Sequence, residues 1–578
     1  MKSKLLFLIC SLLLTFSGYA QFQKTIRVAN QHYHDLNMES TNDGSNDFIV
    51  AGNLFDTSLQ NEELTLKRVD QNGVVVWIKK YTHASLVHAR VFDMVVVGSS
   101  IYITGSIDVS GVRKVFIAEI LASNGNFVAS NYYEMISPNF NSRGLKIIHT
   151  LSDADNDGIG DPGFVVGGFF SDCYALDINC TFNNIGFVLR TDINLNQIWT
   201  TEIETSNPIN SLDYDFANGI TETNDGFFVT GSATGITATS SVQQGVLAHK
   251  LDFSGVFMWD SSYLFGNASD VSTDAYYDPG TNQIYMLVNY SVSHYFGVNV
   301  LNNAGGTSTL NWVATGNDLD KYGFRIMESA NSANNLVITG YDRDENWISA
   351  GTSFSGQSTL FIYEFAKATG AQVGISYQYL VPHVEPSGDE FNFWSGQLPL
   401  IYYPDISQLY VDTAGNANYY HVGYRTNPSA TFTETELYKT PLNFRNECNN
   451  LILQLTPNTG NLNPIQVTSG QVPTSEVPIT LNDVVISFQI SMCDPALSID
   501  EERKDKGGIY PNPASDVVHF TGDDLTTYTV LDASGRIVFT GTLTEEKTVY
   551  VGDLANGMYF IKAFDSNGNM DTFKLIKR

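Results

Sequence analysis

Residues 226–231 read GFFVTG, an apolar run that ends in glycine, and similar runs return along most of the chain. The seven runs are DFIVAG (47–52), SIYITG (100–105), GFVVGG (163–168), GFFVTG (226–231), QIYMLV (283–288), NLVITG (335–340) and NYYHVG (418–423). Their spacing is too long for a leucine-rich or helical repeat. It suits a four-stranded unit with variable loops.

A second pattern follows each run and predicts a β-hairpin, because two alternating strands flank a polar turn that contains Asn, Asp or Gly. The seven copies are LTLKRVDQNGVVVW (64–77), VFIAEILASNGNFV (115–128), GFVLRTDINLNQIW (186–199), VLAHKLDFSGVFMW (246–259), FGVNVLNNAGGTSTLNW (296–312), LFIYEFAKATGAQV (360–373) and LILQLTPNTGNLNPIQV (451–467). A weaker strand precedes the runs, for example VFDMVVV (91–97). Each repeat therefore supplies four strands.

These repeats predict an all-β protein whose residues 21–470 form a seven-bladed β-propeller. A sheet with two apolar faces has to be covered by its neighbours. We expect the small residues that end the runs to lie where blades crowd together, since glycine permits a close backbone approach. One repeat position near the end of the hairpins is aromatic and predicts packing between blades: Trp77, Trp199, Trp259 and Trp312.

The runs at 41–52 (TNDGSNDFIVAG) and 223–231 (TNDGFFVTG) resemble the TxDGGF-type repeat of secreted bacterial propellers. The resemblance covers about residues 30 to 470, supports the fold and implies no activity. Residues 478–492 could supply one strand of an eighth blade. We interpret residues 471–506 instead as a closing strand and a charged linker.

The chain begins with the pattern of a secretory signal peptide. Lys2 and Lys4 precede an apolar run at 5–16, and the small residues Gly18 and Ala20 suit cleavage after residue 20. No later apolar run is long enough to span a bilayer. Residues 1–20 are therefore predicted to direct export.

Composition excludes some classes of partner. The chain has 31 basic and 61 acidic residues, a formal charge of −30, which repels nucleic acid and anionic lipid. A hydrophobic content of 43% is too high for a generally disordered chain.

Four cysteines follow the predicted signal peptide, and export makes disulfides possible. Cys173 and Cys180 are near enough in sequence to staple a loop, which would leave Cys448 and Cys493 as the other pair. Three pairings are possible, and four unpaired cysteines are an alternative because a large core does not need bridges.

Residues 153–163 (DADNDGIGDPG) predict a structural calcium loop. Asp153, Asp155 and Asp157 alternate, Gly158 permits a sharp bend, and the Ile159 carbonyl and Asp161 can complete the ligands: Asp153, Asp155, Asp157, Ile159 and Asp161. The position of the bidentate Glu of an EF-hand is Phe164 here, so the loop is closer to those of thrombospondin type 3 repeats. An acidic turn without metal is the alternative.

We find no catalytic motif and assign no catalytic residue. Two tryptophans lie outside the repeated position, Trp347 and Trp394, within long acidic and aromatic insertions. Such insertions project from a propeller face, where aromatic rings can stack on sugars or anchor a peptide. The alternative is that each ring only fixes its own loop.

Residues 507–578 have a different pattern, about seven short strands that predict a small immunoglobulin-like β-sandwich. The segment resembles the type A sorting domain of the type IX secretion system of Bacteroidetes. The resemblance rests on PNP (Pro511, Asn512, Pro513), on GMY (Gly557, Tyr559) and on the terminal lysines Lys574 and Lys577. It implies recognition by the secretion machinery, followed by cleavage and either release or attachment at the cell surface. An accessory binding sandwich is the alternative.

Together these patterns predict a secreted or surface-attached propeller that binds an extracellular glycan or protein. The alternative function is a propeller hydrolase that uses carboxylates at the central channel to cleave glycans or peptides.

Overall fold

The structure is a computed structural model. In it the chain forms two compact units, residues 1–494 and 495–578. The residues that it describes are 22–27, 32–41, 43–56, 61–82, 88–135, 140–155, 157–171, 183–205, 213–236, 242–265, 270–290, 295–315, 321–342, 358–373, 377–381, 418–426, 433–441, 454–457, 462–464, 467–485, 489–493, 509–520, 525–532, 536–544, 546–565 and 570–578. Within these ranges the protein is all-β, as predicted. None of the described segments is a helix that could cross a membrane.

The strands of the first unit, as far as Phe265, are β1 (Phe22–Arg27), β2 (His32–Ser40), β3 (Phe48–Asp56), β4 (Asn61–Val69), β5 (Val75–Thr82), β6 (Ala89–Val97), β7 (Ser100–Val109), β8 (Val112–Leu121), β9 (Phe127–Met135), β10 (Asn141–Thr150), β11 (Gly163–Ser171), β12 (Asn183–Asp192), β13 (Gln197–Thr205), β14 (Asp213–Tyr214), β15 (Phe216–Glu222), β16 (Phe227–Ile236), β17 (Val242–Leu251), β18 (Phe257–Asp260) and β19 (Tyr263–Phe265). The rest of this unit contains β20 (Asp270–Asp278), β21 (Gln283–Tyr290), β22 (Tyr295–Asn302), β23 (Ser308–Thr315), β24 (Lys321–Ser329), β25 (Ser332–Asp342), β26 (Ser358–Ala366), β27 (Tyr377–Val381), β28 (Asn418–Thr426), β29 (Thr433–Pro441), β30 (Gln454–Pro457), β31 (Leu462–Pro464), β32 (Val467–Gln471), β33 (Thr474–Pro478), β34 (Asn482–Val485) and β35 (Gln489–Cys493). The second unit contains β36 (Ile509–Tyr510), β37 (Val517–Phe520), β38 (Leu525–Asp532), β39 (Ile537–Thr542), β40 (Thr548–Tyr550), β41 (Gly557–Asp565) and β42 (Met570–Lys577).

The described part of the first unit forms seven sheets, whose main paths are antiparallel. Their strand orders are β2-β3-β4-β5-β34 (sheet 1), β6-β7-β8-β9-β33 (sheet 2), β10-β11-β12-β13-β32 (sheet 3), β15-β16-β17-β19-β31 (sheet 4), β20-β21-β22-β23-β30 (sheet 5), β24-β25-β26-β27 (sheet 6) and β28-β29-β1-β35 (sheet 7). In addition, β14 pairs with β12 in parallel and β18 pairs with β17. The repeats of the sequence thus become successive sheets.

The apolar runs form strands that are buried on both faces. Val165 packs in a cluster with residues of sheet 4, whereas its neighbour Phe164 packs with residues of sheet 2. Successive side chains of a strand point to opposite faces, so adjacent apolar residues serve two different interfaces. Further clusters of this kind join sheets 1 and 2, 4 and 5, 5 and 6, and 7 and 1.

The glycines that end the runs of sheets 2 and 3 lie against a β-bulge in their own sheet, not against a neighbouring sheet as we expected. The first strand of sheets 1 to 6 has a register shift opposite the end of the run, as between Val91 and Asp93. A Cβ on Gly105 would lie 1.9 Å from the carbonyl oxygen of Arg90, and one on Gly168 would lie 1.9 Å from that of Arg143. Both contacts are within the glycine's own sheet.

Three of the four repeated tryptophans contact the hairpin turn of the following sheet, whereas Trp312 stacks on Tyr285 of its own sheet. Trp77 in sheet 1 donates its indole N–H to the carbonyl of Ala122 in sheet 2, at 3.2 Å. Its ring lies against Gly125, whose φ is +68° and whose Cβ, if present, would be 2.8 Å from the ring. Trp199 and Trp259 make equivalent contacts with Gly255 and Gly306. The turn glycine thus provides both the left-handed conformation and the room for the ring.

The strands β30–β35, residues 454–493, form what we call the belt. The belt adds an outermost strand to sheets 5, 4, 3, 2, 1 and 7, in that order, and so runs against the order of the sheets in the chain. Our prediction of a seventh hairpin at 451–467 was therefore wrong. Its described parts are strands of three different sheets, and β28 pairs with β29 instead.

Sheet 7 joins the two ends of the first unit. β1 lies between β29 and β35, and Gln23 is the register partner of both Tyr438 and Cys493. The strand that directly follows the predicted signal peptide thus pairs with the last strand of the belt.

The second unit contains two antiparallel sheets, β36-β37-β40 and β39-β38-β41-β42. Side chains from both sheets, such as Val518 and Ile561, share one buried apolar cluster. A parallel bridge between Ala514 and Lys577 connects the segment after β36 to the final strand.

Candidate functional site

The acidic loop between β10 and β11 brings three carboxylates together. Asp153, Asp155 and Asp161 each offer an oxygen within 4.8 Å of the others. Asp157 lies outside this group, and its Oδ1 accepts the Ile159 N–H at 2.7 Å. These three carboxylates are the type of ligand that a hard cation requires, since calcium prefers carboxylate oxygens.

Hydrogen bonds shape this loop around its acidic side chains. Asp153 accepts the N–H of Gly158 at 2.6 Å, and Asp161 accepts the N–H of Ala154 at 2.9 Å. The Asp157 N–H favours the ionised form of Asp155, but desolvation and the nearby carboxylates outweigh it and raise the pKa of Asp155. A bound cation would relieve this repulsion.

Arg190 closes the mouth of the acidic loop. This fully buried side chain on β12 donates to the carbonyl of Ser152 at 3.0 Å and to that of Asp161 at 2.6 Å. Burial lowers its pKa, although Glu222 and Asp161 act in the opposite direction. Arg190 thus fixes both ends of the loop that carries the carboxylates.

Arg190 was not predicted as a functional residue, although the sequence contains a signal for it. In three repeats the third strand has, near its end, a basic residue that lies two positions before an aspartate. These basic residues are Arg68, Arg190 and Lys250. Arg68 binds Asp43 at 2.9 Å and Asp47 at 2.7 Å, and Lys250 binds Asp225 at 2.9 Å. Asp43 and Asp225 are the acids of the two TNDG motifs, so these motifs serve as anion partners for a buried cation.

The bulges on the first strands of the sheets produce a second cluster of charge. Asp93 accepts from Arg325 at 3.2 Å, lies 3.4 Å from the Lys146 ammonium, and accepts the N–H of Ile147 at 2.8 Å. Arg325 also lies 3.9 Å from Asp274. All four charged side chains are buried, and two cations balance two anions. The formal charges of these four side chains therefore balance.

Several predicted site residues cannot be placed. Trp347, Trp394, Cys173, Cys180 and Cys448 lie outside the described residues, as does the predicted signal peptide. Cys493 ends β35, with its backbone paired to β1. The ligand-binding and disulfide hypotheses remain predictions.

The sorting motifs of the second unit meet at the final strand. The Asn512 amide donates to the carbonyl of Lys574 at 2.6 Å, and its oxygen accepts the N–H of Ile576 at 2.9 Å. On the other edge of β42, Gly557 is paired with Lys577 and Tyr559 with Leu575. PNP, GMY and the terminal lysines are thus parts of one structural arrangement, with Pro511, Asn512 and Pro513 exposed.

Residues 508–578 match the family described as the secretion system C-terminal sorting domain, here that of type IX secretion. This confirms the predicted sorting domain. The chain is accordingly secreted or located at the outer cell surface, and the domain implies an interaction with the secretion machinery.

Some solved structures are weakly similar to the chain. The extracellular domain of a protein described as a hybrid two-component system of B. thetaiotaomicron has 9% identity, with 97% of this chain and 98% of that one covered and a TM-score of 0.16. A second such domain from this organism has 10% identity, with 94% and 84% covered and a TM-score of 0.14. These TM-scores are too low to carry an argument. No curated protein is significantly similar to the chain.

Proposed function

We propose that this chain, which ends in a type IX secretion sorting domain at 508–578, delivers a seven-bladed β-propeller that binds an extracellular glycan or protein. The observation that carries the proposal is that the chain forms two compact units and that the sorting domain matches only the second of them. The second unit contains the sorting motifs, so the binding activity is assigned to the first.

Closure of the seven sheets into a ring is supported by the contacts between them. Apolar clusters join consecutive sheets at six junctions, and one of these connects sheet 7 to sheet 1. β1 comes from the start of the described chain and lies inside sheet 7, so this sheet combines strands from both ends of the first unit, as expected when a ring of sheets closes. The two sheets of the second unit with their shared core favour an immunoglobulin-like sandwich.

The binding role rests on the insertions that carry Trp347 and Trp394. Aromatic rings are suited to stack on sugar rings or to anchor peptides. The test is a glycan and protein array probed with the mature body. We expect Trp347→Ala and Trp394→Ala to weaken binding without changing the far-ultraviolet circular dichroism. Unchanged binding by both variants would contradict the assigned surface.

A carboxylate-dependent hydrolase is the second candidate. Its carboxylates would have to lie on the first strands of the sheets, where Asp93 and Asp274 are described. Both acids contact buried cations, which favours a structural role. Hydrolysis of a glycan or peptide that is lost in an Asp274→Asn variant of native stability would favour the hydrolase instead.

The delivery role has its own test. We expect deletion of residues 507–578 to leave the first unit folded but retained in the periplasm, because the sorting domain is absent. Normal surface delivery of the shortened chain would contradict the role of this domain. The folded state of the retained protein is checked by its resistance to protease.

We also propose a structural calcium ion in the acidic loop, bound by Asp153, Asp155 and Asp161. The clustering of three carboxylates and the clamp by Arg190 support this proposal. A chelator should lower the melting temperature of the native protein, and Asp155→Ala should abolish that response. Asp70→Ala, in a turn of sheet 1, is the control. An unchanged melting temperature in chelator would exclude the metal.

A further inference from the structure

Asp260, His249 and Ser469 form a continuous chain of polar contacts between sheets 3 and 4. His249 Nδ1 lies 3.3 Å from Asp260 Oδ1, and His249 Nε2 lies 3.0 Å from Ser469 Oγ. His249 is on β17 and Asp260 on β18, whereas Ser469 belongs to the belt strand β32. The belt therefore completes an arrangement that the repeats alone do not contain.

The direction of the hydrogen bonds follows from the chemistry of the partners. An ionised carboxylate only accepts, so His249 Nδ1 carries the proton and donates to Asp260. His249 Nε2 then holds a lone pair that accepts the Ser469 hydroxyl. Asp260 is itself held by the Ser262 hydroxyl at 2.7 Å. A carboxylate that orients an imidazole, which in turn accepts from a serine, is the arrangement of a nucleophile and its general base.

The backbone of Ser469 is positioned to contribute a donor. Val472 donates its N–H to the carbonyl of Thr200 at 2.9 Å, so these two opposite residues form a hydrogen-bonded pair. Ser469 is opposite Ile203 in the same ladder and is separated from Val472 by an odd number of positions. Antiparallel strands alternate bonded and non-bonded pairs, so the N–H of Ser469 points away from β13. β32 is the last strand of sheet 3, and this N–H faces the outer edge of that sheet. The N–H of the nucleophile itself is a common oxyanion donor.

An exposed apolar surface lies beside this chain of residues. Val256, Phe257 and Met258 are 53%, 48% and 39% exposed. The Phe257 ring lies 5.2 Å from the His249 imidazole. Gln471 on β32 donates to the carbonyl of Ser254 at 3.0 Å and so holds the belt against this turn. This surface is suited to bind an apolar acyl group whose carbonyl carbon Ser469 would attack.

We propose that Ser469, His249 and Asp260 form an esterase site for esters with an apolar acyl group. Ser469 Oγ bonds to the ester carbonyl carbon while its proton passes to His249 Nε2. The alkoxide leaves with that proton and an acyl-serine remains. Water then attacks the acyl carbon and gives a proton to His249 Nε2, which returns it to Ser469 as the carboxylic acid leaves. Asp260 is a positioning residue that holds the imidazole.

The test is a fluorophosphonate probe applied to the mature protein, with the modified residue identified by peptide mass. We expect labelling at Ser469, complete loss in Ser469→Ala, and at least about a tenfold loss in His249→Asn. Thr468→Ala is the matched control on the same strand and should be labelled like the native protein. Asp260→Asn should lower kcat for a short-chain nitrophenyl ester while KM stays unchanged.

Ser469→Ala removes one hydroxyl from a partly exposed strand, so loss of folding does not complicate this variant. Ester hydrolysis above the level of Ser469→Ala, together with labelling at Ser469, supports the site. A native protein that is not labelled at Ser469, or that hydrolyses the ester no faster than Ser469→Ala, overturns it. Neither result bears on binding by Trp347 and Trp394, so this proposal is independent of the proposed binding function.

Discussion

Arg325 of sheet 6 donates to Asp93 of sheet 2 at 3.2 Å, although these sheets are not neighbours in the order of the chain. This contact brings together the first strands of two sheets that do not follow one another in the chain. The contribution of this buried ion pair to stability can be measured with single substitutions.

Asp93→Asn should lower the free energy of unfolding by about 3 kcal/mol, because it leaves Arg325 and Lys146 buried with one anion fewer. Glu476→Gln makes the same chemical change at an exposed belt position and should have almost no effect. Urea denaturation of both variants gives the comparison. Equal stabilities would mean that the ion pair does not stabilise the fold.

The contact between Trp77 and Gly125 predicts a difference between two glycine substitutions. Gly98→Ala places alanine at a φ of +59° with no atom within 4 Å, so it should cost only about 1 kcal/mol. Gly125→Ala has a similar φ and also meets the Trp77 ring, which should cost about 1–3 kcal/mol more. Thermal unfolding measures both. If both variants lose the same amount of stability, the contact between the Trp77 ring and Gly125 does not contribute to packing between sheets 1 and 2.

The belt predicts where the first unit can be shortened. A chain that ends at residue 494 should unfold in one cooperative transition. A chain that ends at residue 470 lacks the outer strands of sheets 1, 2 and 7 and the buried Leu481. It should melt at a lower temperature and aggregate through exposed strand edges. Size-exclusion chromatography and a melting curve measure aggregation and stability of the two shortened chains. If both are monomers of equal stability, the belt does not stabilise the first unit.

The raised pKa of Asp155 predicts a pH effect in the metal-free protein. The folded state then binds a proton more tightly than the unfolded state, so stability falls as pH rises from the ordinary aspartate pKa through the raised one. Denaturation in chelator between about pH 3.5 and about pH 6 should reveal this slope. Asp155→Asn should reduce it, whereas Asn556→Ala, which changes an exposed residue that does not titrate, should leave it in place. A slope that is the same with and without Asp155 would contradict this origin.

Asn512 predicts a local effect in the sorting domain. Asn512→Ala removes two hydrogen bonds to β42 and should weaken the protection of its amides by about 1–2 kcal/mol. Hydrogen exchange on the whole chain reports this locally, with Asn556→Ala as the exposed control. Unchanged exchange at Lys574 and Ile576 would show that PNP does not hold the strand.

The sequence predicted the elements better than their partners. The apolar runs identify the second strands because both faces are buried, and the turn at Gly125 is visible as SNG. Within the belt only a hairpin at 451–467 and one closing strand within 471–506 were predicted, because strands such as TSEVP (β33) are mostly exposed and have no apolar alternation. The acidic loop was predicted from spacing alone. Arg190, Asp93 and Ser469 were not, since their roles depend on residues brought together from different sheets.

The belt also has a consequence for folding speed. Pairs such as Val484 with Lys80 and Ile490 with Ile26 join residues from opposite ends of the first unit. Contacts of such large sequence separation cost much loop entropy before they contribute, so they slow folding. The outer strand of six sheets is supplied by the last part of this unit to be synthesised. We therefore expect the unit to complete its folding late, after its whole length is available.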